Sequence, residues 1–360
     1  TYPEIDMIYW AGGNPFHHHQ DLGRLRKAWE KPSTVIVNEW CWNALARHAD
    51  IILPCTTTLE RQDIGMTPRD PYVISMDKAI EPVGEARNDY DIFAGIARRM
   101  GTKDSFTEGR SAEEWQKWIW EQSCERAEKL NVHMPDYESF REAGFYKSPD
   151  LKEDRIFLSD FFEDPDKNPL KTPSGKIEIF SEKIDSFNYN DCPGHPTWME
   201  PDEWLGAEEK AYPLHLISNQ PKTKLHSQMD NGTLSSSIKI KGHQPLEMNP
   251  DDAKSRGITQ GDVVRVFNGR GSCLCGVNIT ADVMPGVVII STGSWYDPAE
   301  PNDPKSMCKH GNPNVLSPDI GTSKLGQGPA AHSCLAEIEK YDGPVQDITA
   351  FNPPEIIEKK

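Results

Sequence analysis

The chain has 360 residues and a formal charge of −17 at pH 7, with 39 Lys and Arg against 56 Asp and Glu. A nucleic-acid binder needs a basic face, so this balance argues against nucleic acid as a partner and weakens attraction to an anionic membrane. No stretch approaches the ~20 consecutive apolar residues that cross a bilayer, so no membrane insertion is expected.

Taken in chain order, "IDMIYW" (5–10) reads as a strand that ends in an unusual loop, "AGGNPFHHHQD" (11–21). The strand lies almost at Thr1, with no Met before it, which predicts that an N-terminal portion precedes this sequence. Asp21 is placed to cap a helix over "DLGRLRKAWEK", whose Leu22, Leu25 and Trp29 share one face. "STVIVNEW" is a second strand, "NALARHA" a short helix, and "DIILPCTTT" a third strand stopped by Pro54. Apolar strands separated by helices predict a parallel sheet with helices on its faces. Ligands of such sheets sit beyond the carboxyl ends of the strands, where loops leave at Gly12, Asn38 and Pro54.

Residues 85–100 predict a helix with Ile92, Phe93, Ile96 and Ala97 on one face. Residues 101–170 mix a Trp-rich helix (Trp115, Trp118, Trp120), read as core, with irregular acidic segments. "SGKIEIFSEKI" (174–184) predicts a strand returning to the first domain. The Pro-rich "DCPGHPTWMEPDEW" breaks all periodicity, which sets the domains at 1–190 and 191–360. Beyond it, "YPLHLISNQ", "GDVVRVFNGRG", "CLCGVNIT" and "GVVIISTGSW" are strands between turns, and "NPDDAKSRGI" is a short helix ending at a glycine. This second domain reads as a closed barrel.

The eight cysteines include no CxxC pair, so zinc binding is not expected. Cys273 and Cys275 fall on one side of a strand and read as small buried thiols. Three adjacent histidines are sterically poor metal ligands, which leaves His17 and His19 as packed or solvated side chains. Trp295 and Tyr296 read as core or interface packing. Two loops, "SNQPKTKLHSQ" (218–228) and "HGNPNVLSPDIGTSKLGQGP" (310–329), are crowded with hydrogen-bonding groups and glycines. That composition suits a large polar cofactor better than a nucleophilic active site, and it suits a well-ordered surface loop equally.

Eight stretches, in register from the first residues to the last, carry a resemblance. They are "YWAGGNPFHHHQD", "ARHADIILPCTTTLERQDI", "EARNDYDIF", "KTPSGKIEIFS", "CPGHPTWMEPDEW", "KLHSQ", "HGNPNVLSPDIGTSKLGQG" and "ITAFNPP". With them the chain resembles the C-terminal half of a molybdenum enzyme of the dimethyl sulfoxide reductase family, in the group of biotin sulfoxide, trimethylamine N-oxide and dimethyl sulfoxide reductases. The resemblance implies an α/β fold: a partial parallel-sheet, dinucleotide-binding-like region followed by a C-terminal double-psi β-barrel. It implies one molybdenum held by two molybdopterin guanine dinucleotides, and reduction of S-oxides or N-oxides by oxygen-atom transfer.

The resemblance also implies cofactor-binding positions. Asn14 and His18 fall where a nucleotide end binds, and Asn38 where a polar side chain meets ribose or guanine. Arg61 and Asp91 fall near a guanosine; an acid suits the N–H donors of guanine, and a planar guanidinium suits phosphate. Asp50 is a second candidate acid. Gln220, His226 and Ser227 lie in a loop approaching the pterins, and His310, Asn314, Gln327 and Gly328 in the long polar loop. Gln220 and His310 depart from the family's commoner His and Asn, which leaves their individual roles open.

By the same resemblance, the serine ligand to molybdenum belongs to the N-terminal half, so no catalytic residue or metal ligand is named here. The implied partners are that half of the polypeptide, a small S-oxide or N-oxide, and an electron donor protein or reductant. The implied compartment is the bacterial cytoplasm or periplasm. Two other readings stay open: part of a formate dehydrogenase- or nitrate reductase-like molybdoenzyme, or a non-catalytic pterin-binding module.

Overall fold

The computed structural model describes residues 3–68, 70–149 and 156–357. Strands β1 (Met7–Ala11), β2 (Thr34–Glu39) and β3 (Ile51–Pro54) form a parallel sheet in that order. Ala11 pairs with Asn38 and Asn38 with Leu53, so the three carboxyl ends finish level. Helices α1 (Pro15–His18) and α2 (Leu22–Trp29) follow β1. The Asp21 side chain caps α2 by accepting from the Arg24 N–H. Helix α3 (Asp89–Met100) has acids in its first turn and Arg98 and Arg99 in its last, which suits the helix dipole, and it stops at Gly101 with φ 74°.

A second sheet is antiparallel, with β4 (Asp63–Met66), β5 (Tyr72–Met76) and β6 (Phe145–Lys147) in order. Helices α4 (Lys103–Thr107), α5 (Ala112–Glu128) and α6 (Tyr137–Ala143) lie between β5 and β6 in sequence, after α3. Of the three tryptophans expected in the core, Trp120 is buried and stacks on Phe140 at 3.8 Å. Trp115 and Trp118 instead meet edge to face under the Arg110 guanidinium. Residues 150–155 of the expected irregular acidic stretch lie outside the described residues.

The strand expected over 174–184 does not form. Ile177 and Ile179 are 60% and 82% exposed, and a short helix, Glu182–Asp185, follows them. An alternating pattern becomes a strand only beside a ladder partner. Among the described residues none pairs with this segment.

Strands β7 (Leu214–Ile217), β8 (Pro245–Met248), β9 (Val263–Phe267), β10 (Ser272–Ile279), β11 (Val287–Ile290) and β12 (Leu335–Lys340) close a barrel in the order β10-β8-β11-β7-β12-β9. Two of its pairings, β10·β8 and β11·β7, are parallel, the mixed pairing of a double-psi barrel. Leu216, Leu246, Val266, Val288 and Ile290 fill it without exposure to solvent. Cys273 and Cys275 join them with sulfurs 4.0 Å apart, and their contact and burial hold the Cys273 thiol protonated. One apolar core runs from Phe16, Leu22 and Val35 of the sheet domain into the barrel. Among the described residues, no helix is long and apolar enough to cross a membrane.

Candidate functional site

The opening loop is shaped by its own residues. Gly12 and Gly13 both take φ 77°, where an L side chain costs about 1–2 kcal/mol. Asn14 Oδ1 then accepts from the Phe16 N–H at 3.1 Å, and Pro15 occupies the first helical position. Phe16 is fully buried and stacks on His48 at 4.1 Å. The barrel domain pins the loop from the other side: Asn312 Nδ2 donates to the Phe16 carbonyl at 3.0 Å and Asn314 Nδ2 to the His17 carbonyl at 2.9 Å. His18 is thereby left at the rim, 5.9 Å from the ring of His226.

This loop walls a cavity of about 290 Å³ at the carboxyl edge of the parallel sheet. The floor is Asn38, Glu39 and Cys41 beyond β2 with Cys55 beyond β3; Asp89 opens α3 at one side, and residues 226–229 with Trp295 close the other. Tyr9 Oη donates to Asn38 Oδ1 at 2.8 Å, and Asn38 Nδ2 donates to Asp89 Oδ1 at 2.7 Å. The Asp89 carboxylate, which only accepts, fixes which end of the Asn38 amide is nitrogen, and the Tyr9 hydroxyl then donates to the amide oxygen. Glu39 is 8% exposed, and burial raises its pKa against hydrogen bonds from Asn43 and the Trp40 N–H.

Two carboxylates, an ordered amide and imidazoles make a site that accepts hydrogen bonds. Burial, then the neighbouring His226 and His19, lowers the pKa of His18, so it is neutral near pH 7. Burial pushes the Cys41 thiol up to about 12 and the Cys55 thiol up to about 11, so neither is a nucleophile at neutral pH. Among the described residues, no group of three or more His, Cys, Asp or Glu is placed to hold a metal ion. A roomier cleft of about 510 Å³ lies at the amino edge of the sheet, beside Arg26, Asp50 and Tyr296. Two of its charged groups are engaged within the protein: Arg26 donates to the Pro301 and Asp303 carbonyls, and Asp50 accepts from the Val35 N–H. The carboxyl edge is the better candidate, because its acceptors face open space.

Of the residues singled out in the sequence, Asn14, His18, Asn38, His226 and Ser227 line the cavity. Arg61 instead pairs with Asp63 at 3.3 Å, and Asp91 is exposed and bonded to Asn88. Gln220 and Gln327 are exposed, and the Gln327 amide folds back onto the Ser323 and Lys324 carbonyls; Gly328 sits next to it, half-buried. His310 is wholly buried in an ionic cluster, and Asn314 is the tie to His17. Asp50 lies at the opposite edge of the sheet. Glu39 and Asp89 were passed over in sequence. Residues two apart on a helix differ by about 200° in direction, so Asp89 and Asp91 cannot share a face; "NDYD" offers two acids, and only the fold tells which one meets the cleft.

A parallel sheet whose carboxyl edge opens on a cavity has the arrangement in which such sheets hold their ligands. Comparison with known proteins agrees. The family described as "Molybdopterin oxidoreductase" matches residues 2–99, and "Molydopterin dinucleotide binding domain" matches residues 214–335. The two matched regions are those of molybdopterin oxidoreductases, which implies molybdenum bound by a molybdopterin dinucleotide as the cofactor. It is 48% identical to the dimethyl sulfoxide/trimethylamine N-oxide reductase of Cereibacter sphaeroides, over 98% of this chain and 43% of that protein. It is 44% identical to the biotin sulfoxide reductase of the same organism, over 96% of this chain and 46% of that protein. The trimethylamine-N-oxide reductase of Haemophilus influenzae is 42% identical over 98% of this chain and 44% of its own length. The chain thus spans less than half the length of these relatives. Among solved structures, acetylene hydratase from Pelobacter acetylenicus shares the fold, with a TM-score of 0.72 at 20% identity over 93% of this chain and 44% of that one.

Proposed function

We propose that this chain is the dinucleotide-gripping part of an S-oxide or N-oxide reductase, and that the cavity at the carboxyl edge takes the guanosine end of one molybdopterin guanine dinucleotide. The observation that carries this reading is the Tyr9–Asn38–Asp89 chain beside Glu39. Guanine presents N–H donors at N1 and N2 along one edge, and two carboxylates on one wall accept from that edge. Asn14, His18, His226 and Ser227 offer polar groups to ribose and phosphate at the rim. Asn314 holds the His17–His18 loop in place. Arg61, Asp91, Gln220, Gln327 and Gly328 stand apart from this cavity and are proposed for the second dinucleotide of the same centre.

When bound, the molybdenum centre supplies oxygen-atom transfer. The residues of this chain bind and orient it. The activity belongs to a polypeptide that includes the remaining length of the relatives, acting on a small S-oxide or N-oxide with electrons from a donor protein or reductant. The similarity to proteins named as oxide reductases favours this chemistry over formate or nitrate conversion.

The test is oxide-dependent oxidation of a reduced dye by the full-length polypeptide containing this chain, with its guanine content measured in parallel. Asp89→Ala is expected to lower both by roughly tenfold, the loss of one charge-assisted hydrogen bond. Full guanine content and undiminished turnover in that variant would contradict the assignment.

A further inference from the structure

Residues 175–181, "GKIEIFS", alternate as a β-strand does, with Ile177 and Ile179 two apart and so on one side of an extended chain. The segment is tied down at both ends. At its start the Leu170 N–H donates to the Gly175 carbonyl at 2.8 Å, and Gly175 turns the chain with φ 71°. At its end the Ser181 N–H donates to the Gly194 carbonyl at 2.6 Å. The Phe180 ring lies against the same glycine, 2.8 Å from where a side chain there would begin. Between these ties the backbone is open. Among the described residues, no N–H or C=O group of Ile177, Glu178, Ile179 or Phe180 has a hydrogen-bond partner, and no strand lies beside them.

The side chains are as unmet as the backbone. Ile177, Ile179 and Phe180 are all exposed, and Trp198, four residues past the Gly194 tie, is 72% exposed. Single apolar side chains on a surface are ordinary. Here they coincide with a row of unpaired backbone donors and acceptors, which is the template on which another strand pairs. Two observations choose the partner. A second copy of this chain brings a further charge of −17, and like-charged molecules repel. The similarity to the Cereibacter sphaeroides dimethyl sulfoxide/trimethylamine N-oxide reductase covers 98% of this chain but 43% of that protein, so the relative carries more than half of its length in addition.

We propose that residues 177–180 form an interface strand, added to the edge of a sheet built by the remaining length of the same polypeptide, with Ile177 and Ile179 packed on an apolar surface of that part. This rests on the function proposed above in one respect, that the active polypeptide includes the remaining length of the relatives. The segment lies in sequence between β6 and β7, where the sheet region gives way to the barrel. Pairing there fastens the connection between the two walls of the cavity to the rest of the enzyme.

The test is hydrogen exchange of the wild-type full-length polypeptide, read residue by residue by mass spectrometry. A strand at a sheet edge pairs alternate amides, so Ile177 and Ile179, or Glu178 and Phe180, are expected to exchange at least about a hundredfold more slowly than an unpaired amide. Protection of all four places the strand between two neighbours and also supports the proposal. Exchange of all four at the rate of unpaired amides would overturn it. A benzophenone side chain in place of Ile179 then identifies the neighbour on illumination. A crosslink to the same polypeptide outside this sequence supports the proposal; a crosslink to a second copy or within this chain overturns it. Should that variant not fold, the exchange of the wild type decides. Full-length protein that binds no guanine dinucleotide removes the functional reading and leaves the exchange pattern to be judged by itself, whereas loaded enzyme with four freely exchanging amides removes this inference alone.

Discussion

Glu39 shows how a single residue can trade stability for binding. Burial raises its pKa above that of a solvated carboxyl group. A group whose folded-state pKa is raised contributes stability below its unfolded pKa and loses it as pH climbs through the folded value. At neutral pH the ionised side chain is therefore a burden that a ligand's N–H donors would relieve. Glu39→Gln is expected to raise the melting temperature at about pH 8 and to lose that advantage near about pH 4, where the wild-type carboxyl is protonated. A Gln variant that melts below the wild type at the higher pH would show that Glu39 is already compensated within the protein.

At the scale of elements, the first strand–loop–helix unit was largely legible in the sequence. The apolar run "IDMIYW", the Asp21 cap and the apolar face of "DLGRLRKAWEK" each state a local requirement, and the fold meets all three. Gly12 has no neighbour within 4 Å of where a side chain would project, so its requirement is purely conformational. Gly12→Ala should cost about 1 kcal/mol in denaturant unfolding, and Gly12→Asn less, because Asn tolerates the left-handed region. An alanine variant as stable as the wild type would contradict the positive φ. What the sequence left unread depends on distant partners. "SGKIEIF" has the alternation of a strand, but a strand exists only where a neighbour accepts it. The loop over 310–329 looks uniform in composition, yet residues 310–318 are buried while the remainder is largely exposed. His310 and Asn314 were named from the family resemblance; in the structure His310 meets Lys239 and the Trp295 carbonyl, and Asn314 donates to the His17 carbonyl, contacts that no local pattern announces.

Across the whole molecule, the sheet domain and the barrel behave as one body around the cavity. They share an apolar core, and the ties from Asn312, Asn314 and Arg26 cross between them. The cavity's two sides come from chain segments about half the sequence apart, Gly12–Asp89 on one and residues 226–229 on the other. No local motif encodes that juxtaposition, so the sequence alone does not group the residues that line the cavity. The most direct measurement is a structure of the full-length protein carrying its cofactor. The account predicts a guanine ring in the cavity at the carboxyl edge, with its N–H edge within hydrogen-bonding reach of Asp89 and Glu39. A dinucleotide bound elsewhere, with only water between Asn38, Asp89 and the 226–229 wall, would contradict it.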